Sequence, residues 1–136
     1  MVVIDTNVIY SGLRSKRGAS YRLLGLIGEG CIPYAVSISL LFEYEDVLRR
    51  NIDQFKLSSI EVDDFLDAIA LMGSRQIAKF LWRPYLNDPK DDHILELAVV
   101  SNSDIITYNK KDFKGIEKFG IRALDAFEYL KQRRLI

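Results

Sequence analysis

The chain contains one cysteine, Cys31, one histidine, His93, and three prolines. A lone cysteine closes no intramolecular disulfide, and beside Ile32, ahead of an apolar stretch, Cys31 is expected to be a buried structural thiol. Without cysteine pairs or a histidine cluster, the usual zinc-ligand spacings are excluded. Net charge is missing too, since 19 Lys and Arg balance 19 Asp and Glu. Overall charge therefore does not announce a nucleic-acid binder, and any attraction to a polyanion must come from local patches or from bound cations. No apolar run approaches the roughly 18 residues a membrane helix needs. Asp5 interrupts the apolar start, so a signal peptide is not expected and a cytoplasmic protein is. A glycine-rich phosphate loop is also lacking, because Gly12 and Gly18 stand isolated.

What is present suffices for one packed core. The 136 residues are 49% hydrophobic and include seven Tyr and seven Phe, so a single domain over 1–136 is expected. The opening Val2-Val3-Ile4 is β-branched and unalternating, as in a strand buried on both faces. Leu23, Leu24 and Ile27 predict a helix over 21–27, stopped by Gly28 and Gly30. Residues 32–36 read as a second strand. Ser37 and Ser39 suit a helix start, and Leu40, Leu41, Tyr44, Val47 and Leu48 form the stripe that follows. Ser58-Ser59-Ile60-Glu61 has the form of a capping box for a helix running to about Met72. In that helix Phe65, Ile69 and the 66–71 stretch read as core; an apolar patch exposed there would be the first place to seek a dimer or partner contact. A strand is expected over 76–81. Pro84 and Pro89 make 83–90 a loop, in which Trp82 and Tyr85 flank Pro84 and read as packing residues. A strongly apolar helix then begins at Asp91 and Asp92. Residues 104–108 form another strand, and a short helical piece, a strand over 121–123 and a helix from Leu124 close the chain. Strands alternating with helices argue for an α/β fold with a central parallel sheet flanked by helices.

In such sheets sites form outside the carboxyl ends of the strands. Asp5 ends the first strand, although an Asp before Thr-Asn also suits a helix cap. Glu43 lies at the edge of its helix's apolar stripe, where an acid can lean over the sheet. Asp91 and Asp92 precede a buried helix, where capping is the ordinary role. Asp112 follows the end of the strand at 104–108. Gathered at one edge, these acids repel one another unless a cation binds. Oxygen donors without cysteine or histidine clusters select hard ions such as Mg²⁺ or Mn²⁺. A carboxylate-held ion of this kind serves phosphodiester hydrolysis. His93 reads as a surface residue with no orienting partner. Basic clusters occur at Arg14, Lys16 and Arg17, at Arg49 and Arg50, around Lys110 and at 131–134.

Four segments in order, Val3-Ile4-Asp5-Thr6-Asn7-Val8, Glu43 with Val47-Leu48, Asp88-Pro89-Lys90-Asp91-Asp92-His93-Ile94-Leu95-Glu96-Leu97-Ala98 and Thr107-Tyr108-Asn109-Lys110-Lys111-Asp112-Phe113, resemble the PIN domain. The branch is similar to the toxin components of toxin–antitoxin systems. That resemblance implies a Rossmann-like fold, Mg²⁺ or Mn²⁺ in an acidic pocket, and endoribonuclease activity on RNA. It further implies a small antitoxin protein and a homodimer as partners. Asp5, Glu43 and Asp91 match the family's catalytic and metal-binding acids, with Asp92 a near alternative to Asp91. The family's last motif often reads Thr-x-Asp; here Asn109 takes that place, and Asp112 is the acid that can replace it. Thr6, Asn7 and Thr107 are candidates to orient the acids, and Arg14 and Lys110 to guide the RNA backbone.

Asn109 also motivates the alternative of a catalytically weak RNA-binding or protein-interaction module. A phosphatase with Asp5 as nucleophile calls for a second acid two residues on, where Asn7 stands. A nucleotide-binding domain calls for the phosphate loop the chain lacks.

Overall fold

A computed structural model describes residues 1–77, 86 and 88–136. Trp82, Pro84 and Tyr85, and most of the strand expected over 76–81, lie outside the described residues.

Among the described residues, five short strands, β1 (Val2–Ile4), β2 (Ala35–Val36), β3 (Ser74–Arg75), β4 (Asp104–Ile106) and β5 (Ala123–Leu124), alternate with helices α1 (Thr6–Arg14), α2 (Ala19–Gly28), α3 (Ile38–Arg50), α4 (Ser59–Met72), α5 (Asp92–Ser101) and α6 (Ala126–Gln132). β1 pairs in parallel with β4, and β4 with β5. β2 pairs in parallel with β3, and a parallel bridge between Val2 and Tyr34 joins that pair to β1. The spatial order is thus β3-β2-β1-β4-β5. Val2, Val3, Ile4, Ile105 and Ile106 are all buried, which is why these strands read as unbroken apolar runs. No described helix is long and apolar enough to cross a membrane.

The chain leaves β1 toward β2 and leaves β4 toward β5, in opposite directions. The crevice between the carboxyl ends of β1 and β4 is therefore a topological switch point, where α/β sheets place their ligands.

Several elements begin where local chemistry predicts. Ser37 Oγ accepts from Leu40 N at 3.1 Å and starts α3. Both halves of the Ser58–Glu61 capping box form, at 3.0 and 3.1 Å. A second such box, Asp125 with Glu128, opens α6.

Other details differ from expectation. The first helix begins at Thr6, directly after β1 and ahead of the helix expected over 21–27. Gly12 is there because α1 and α2 approach closely: a Cβ on it would lie 2.5 Å from Leu24 Cδ1 and 3.0 Å from the Ser20 carbonyl. β5 begins two residues later than expected and ends one later, and residues 110–113 and 116–119 form 3₁₀ turns. The fourth helix is only partly core: Val62 and Ile69 are buried, whereas Leu71 is exposed. Cys31 is exposed rather than buried. It follows the positive-φ Gly30 in the turn out of α2, and the buried neighbour is Ile32.

Candidate active site

Asp5 stands at the carboxyl end of β1 and does two jobs. One oxygen, Oδ1, caps α1 by accepting from Thr6 N at 2.8 Å. The other, Oδ2, faces β4 and accepts from Thr107 Oγ1 at 2.8 Å and from Asn7 Nδ2 at 3.2 Å. Thr107 is fully buried, and its hydroxyl oxygen in turn accepts from Asn109 N at 3.0 Å. Asn7 Oδ1 accepts from Tyr108 N at 3.1 Å. The ends of β1 and β4 are thus laced together by short polar side chains around one carboxylate. Burial raises the Asp5 carboxyl above its ordinary value; the hydrogen bond from Thr107 opposes this and the nearby Glu43 charge reinforces it.

Glu43 reaches the same place from α3. The buried Tyr44 beside it donates from its hydroxyl to the Ile4 carbonyl, which pins α3 against the end of β1. Thr6 Oγ1 then donates to Glu43 Oε2, and His93 Nε2 lies 3.2 Å from Glu43 Oε1. Burial alone would raise this carboxyl, but the hydrogen bonds from His93 and Thr6 outweigh it and the net shift is downward. His93 is therefore no simple surface residue. It is half-buried, it has an acidic partner, and its buried Nδ1 has no hydrogen-bond partner among the described residues. Neither this contact nor the Tyr44 anchor is visible in the local sequence, because their partners lie 50 and 40 residues away.

Asp91 and Asp92 divide their labour. Asp92 is buried and its Oδ1 accepts from Leu86 N at 2.8 Å, holding the turn before α5. Asp88 caps the 3₁₀ turn Pro89–Asp91 through Lys90 N. Asp91 sits at the N-cap position of α5 yet makes no capping hydrogen bond. Instead its carboxyl is pushed up to about 6, by burial first and then by the charges of Asp5, Asp88, Asp112 and Glu43. Asp112 is half-buried in the 3₁₀ turn after β4, and Asn109 is exposed just before it.

The structure therefore brings Asp5, Glu43, Thr6, Asn7 and Thr107 into one hydrogen-bonded cluster, with Asp91 and Asp112 within electrostatic reach. Asp92 it turns toward the preceding loop. Among the described residues no three acidic, imidazole or thiol side chains form a ready-made metal cage. The donors nevertheless suit a hard divalent cation. They are oxygens, and their mutual repulsion, felt most at Asp91, is what a cation relieves. Mg²⁺ is commonly held by one or two carboxylates and completes its shell with water, so a closed protein cage is not required.

Of the cations considered for guiding a polyanion, Arg14 is exposed in the last turn of α1, its guanidinium 5.9 Å from the Tyr10 ring centre. Lys110 Nζ is 2.8 Å from Glu128 Oε1, an ion pair that partly neutralises it. Arg49 and Arg50 pair with Glu45, Asp63 and Asp46. Among the described residues, Arg14, Lys16 and Arg17 stand outside the ion pairs, on an exposed segment.

The model of the PIN domain family matches residues 1–111 of the chain. No curated protein matches it.

Proposed function

The chain belongs to the PIN domain family, and on that premise we propose that it is a divalent-metal-dependent endoribonuclease, the toxin of a toxin–antitoxin pair. PIN domains are generally nucleases, so hydrolysis of nucleic acid is the family's chemistry; RNA as substrate, Mg²⁺ or Mn²⁺ as cofactor and the toxin role are the finer reading. The observation that carries it is the Asp91 carboxyl, raised to about 6 by burial and by four other acids at the β1–β4 switch point. Such a concentration of negative charge destabilises a metal-free site and favours one holding a cation.

Asp5, Glu43 and Asp91 would hold the ion, with Asp112 as a further ligand. Bound there, a divalent cation makes water a competent nucleophile near neutral pH and offsets charge on the phosphodiester. Thr107 and Asn7 aim Asp5, and Thr6 and His93 hold both oxygens of Glu43. The exposed Arg14, Lys16 and Arg17 would supply the attraction that the neutral chain as a whole lacks. A small antitoxin and a second copy of the chain are the protein partners of this reading.

A second reading, a weakly catalytic RNA-binding module, is favoured by the uncharged Asn109 at the end of β4. Cleavage of a fluorescent single-stranded RNA with Mg²⁺, Mn²⁺ or EDTA separates the two. The nuclease reading expects metal-dependent cleavage that Asp5→Asn abolishes while the fold, followed by circular dichroism, is kept. Wild-type rates in Asp5→Asn would remove Asp5 from the centre. A folded wild-type chain that binds RNA without cutting it would favour the second reading.

A further inference from the structure

The residue after Thr107 is an aromatic that the proposed centre does not use. Tyr108 is 45% exposed although it adjoins a fully buried residue. An exposed ring is ordinary by itself; the way this one is held is not. Its backbone N–H donates to Asn7 Oδ1 at 3.1 Å, and the amide nitrogen of the same Asn7 side chain donates to Asp5 Oδ2 at 3.2 Å. A single asparagine side chain thus sets the spacing between Tyr108 and Asp5. At the other end of the ring, the phenol shares a hydrogen bond with Ser20 Oγ. Ser20 is buried in the first turn of α2. The residue is thus held at its backbone and at its hydroxyl while 45% of its surface stays open to solvent.

The surroundings suit a nucleotide. Ser20, the ring's hydrogen-bond partner, lies a few residues after the exposed Arg14, Lys16 and Arg17, which stand outside the ion pairs among the described residues. Lys111, three residues after Tyr108, is exposed as well. Rigid aromatic faces flanked by cations are how proteins hold unpaired bases, because every base offers a π-face and the backbone seeks positive charge. A pre-fixed ring also avoids the cost of ordering a free side chain on binding.

We infer that Tyr108 is a specificity residue, a platform on which the base of an unpaired nucleotide stacks and so brings the adjacent phosphodiester to the acidic centre. The inference rests on the nuclease reading only for what happens to that phosphate. A base within a duplex has its faces covered by its neighbours and cannot use the platform, so the ring selects flexible or unpaired segments. Ser20 positions the ring and touches no substrate.

The test uses the full chain and a short single-stranded RNA carrying one 2-aminopurine, whose fluorescence falls when it stacks on an aromatic ring. Binding is measured with Ca²⁺, and cleavage separately with Mg²⁺ and Mn²⁺. Wild type and Tyr108→Phe should both quench the probe. Tyr108→Ala should leave it bright and weaken binding about tenfold, in line with the loss of one stacked base. Tyr108→Leu, which fills the same space without an aromatic face, should behave like Tyr108→Ala; it keeps the test valid where the alanine variant loses stability. Equal quenching and equal affinity in a folded Tyr108→Leu would overturn the inference and leave the ring a strut between β4 and α2. Quenching that depends on Tyr108 in a protein that cuts nothing would sustain the platform and sink the nuclease reading. Metal-dependent cleavage that is indifferent to Tyr108→Leu would do the reverse.

Discussion

At Glu43 two hydrogen bonds outweigh burial, and one of them comes from a histidine that is easily passed over. His93 Nε2 and Thr6 Oγ1 each engage one carboxylate oxygen, which leaves the group little freedom to rotate. Partners of this kind typically change metal affinity or activity 10–100-fold when removed. His93→Ala should therefore weaken Mn²⁺ binding about tenfold, read by titration followed by electron paramagnetic resonance, and His93→Gln, which restores an N–H donor, should recover part of it. An alanine variant that binds Mn²⁺ as tightly as wild type would show that the contact does not position Glu43. Individual acids were legible from their places in the sequence: Asp5 after an apolar strand, Glu43 at the edge of a helical stripe, Asp91 before a buried helix. Their supports were not, since Tyr44, His93 and Thr107 act on residues 40, 50 and 102 positions away. Periodicity reports a residue's own face, not what faces it.

Elements with strong local signals came where the sequence put them. The capping box at Ser58 and the serine cap at Ser37 depend on residues three positions apart, and such signals survive in any tertiary context. In the first helix, Gly12 is a point of close contact with α2. Its role makes a prediction with two signs. Gly12→Val drives a branched side chain into Leu24 and the Ser20 carbonyl and should cost about 1–3 kcal/mol, seen as a lower denaturation midpoint. Gly25→Ala lies in α2, where an added Cβ meets nothing within 4 Å. It should raise stability by about 0.5–1 kcal/mol through helix propensity. A neutral Gly12→Val would mean that α1 and α2 are free to move apart. The start of β5 shifted by two residues because a two-residue strand carries too little pattern to place, and its position is set by pairing with Ile105 and Ile106.

For the whole molecule, the crowding of acids at the site costs stability in the metal-free state. The Asp91 carboxyl rises from 3.8 to about 6 on folding, so between those values the folded state binds more protons than the unfolded one. As far as this group decides it, the metal-free protein should be most stable below about pH 4 and should lose that stability as pH rises through about 6. Asp91→Asn removes the penalty. In EDTA it should melt higher than wild type at pH 7.5, and the gap should close near pH 4. Thermal melts across that range decide it; a variant no more stable than wild type at pH 7.5 would mean that the repulsion is already relieved without metal. Saturating Mn²⁺ should raise the melting temperature of wild type and do little for the variant.

The parallel pairing of β1 with β4 also sets a schedule. Asp5 and Thr107 are 102 residues apart, and chains are synthesised from the N-terminus at about 5–20 residues per second. Asp5 therefore leaves the ribosome roughly 5–20 seconds before the hydroxyl that orients it. Throughout that interval β1 has no β4 to pair with, and the crevice between their ends does not exist. A nascent chain that stops short of β4 already carries Asp5 and Glu43 but lacks the β1–β4 cleft. On the nuclease proposal, the nascent chain gains its centre only once β4 has emerged to pair with β1.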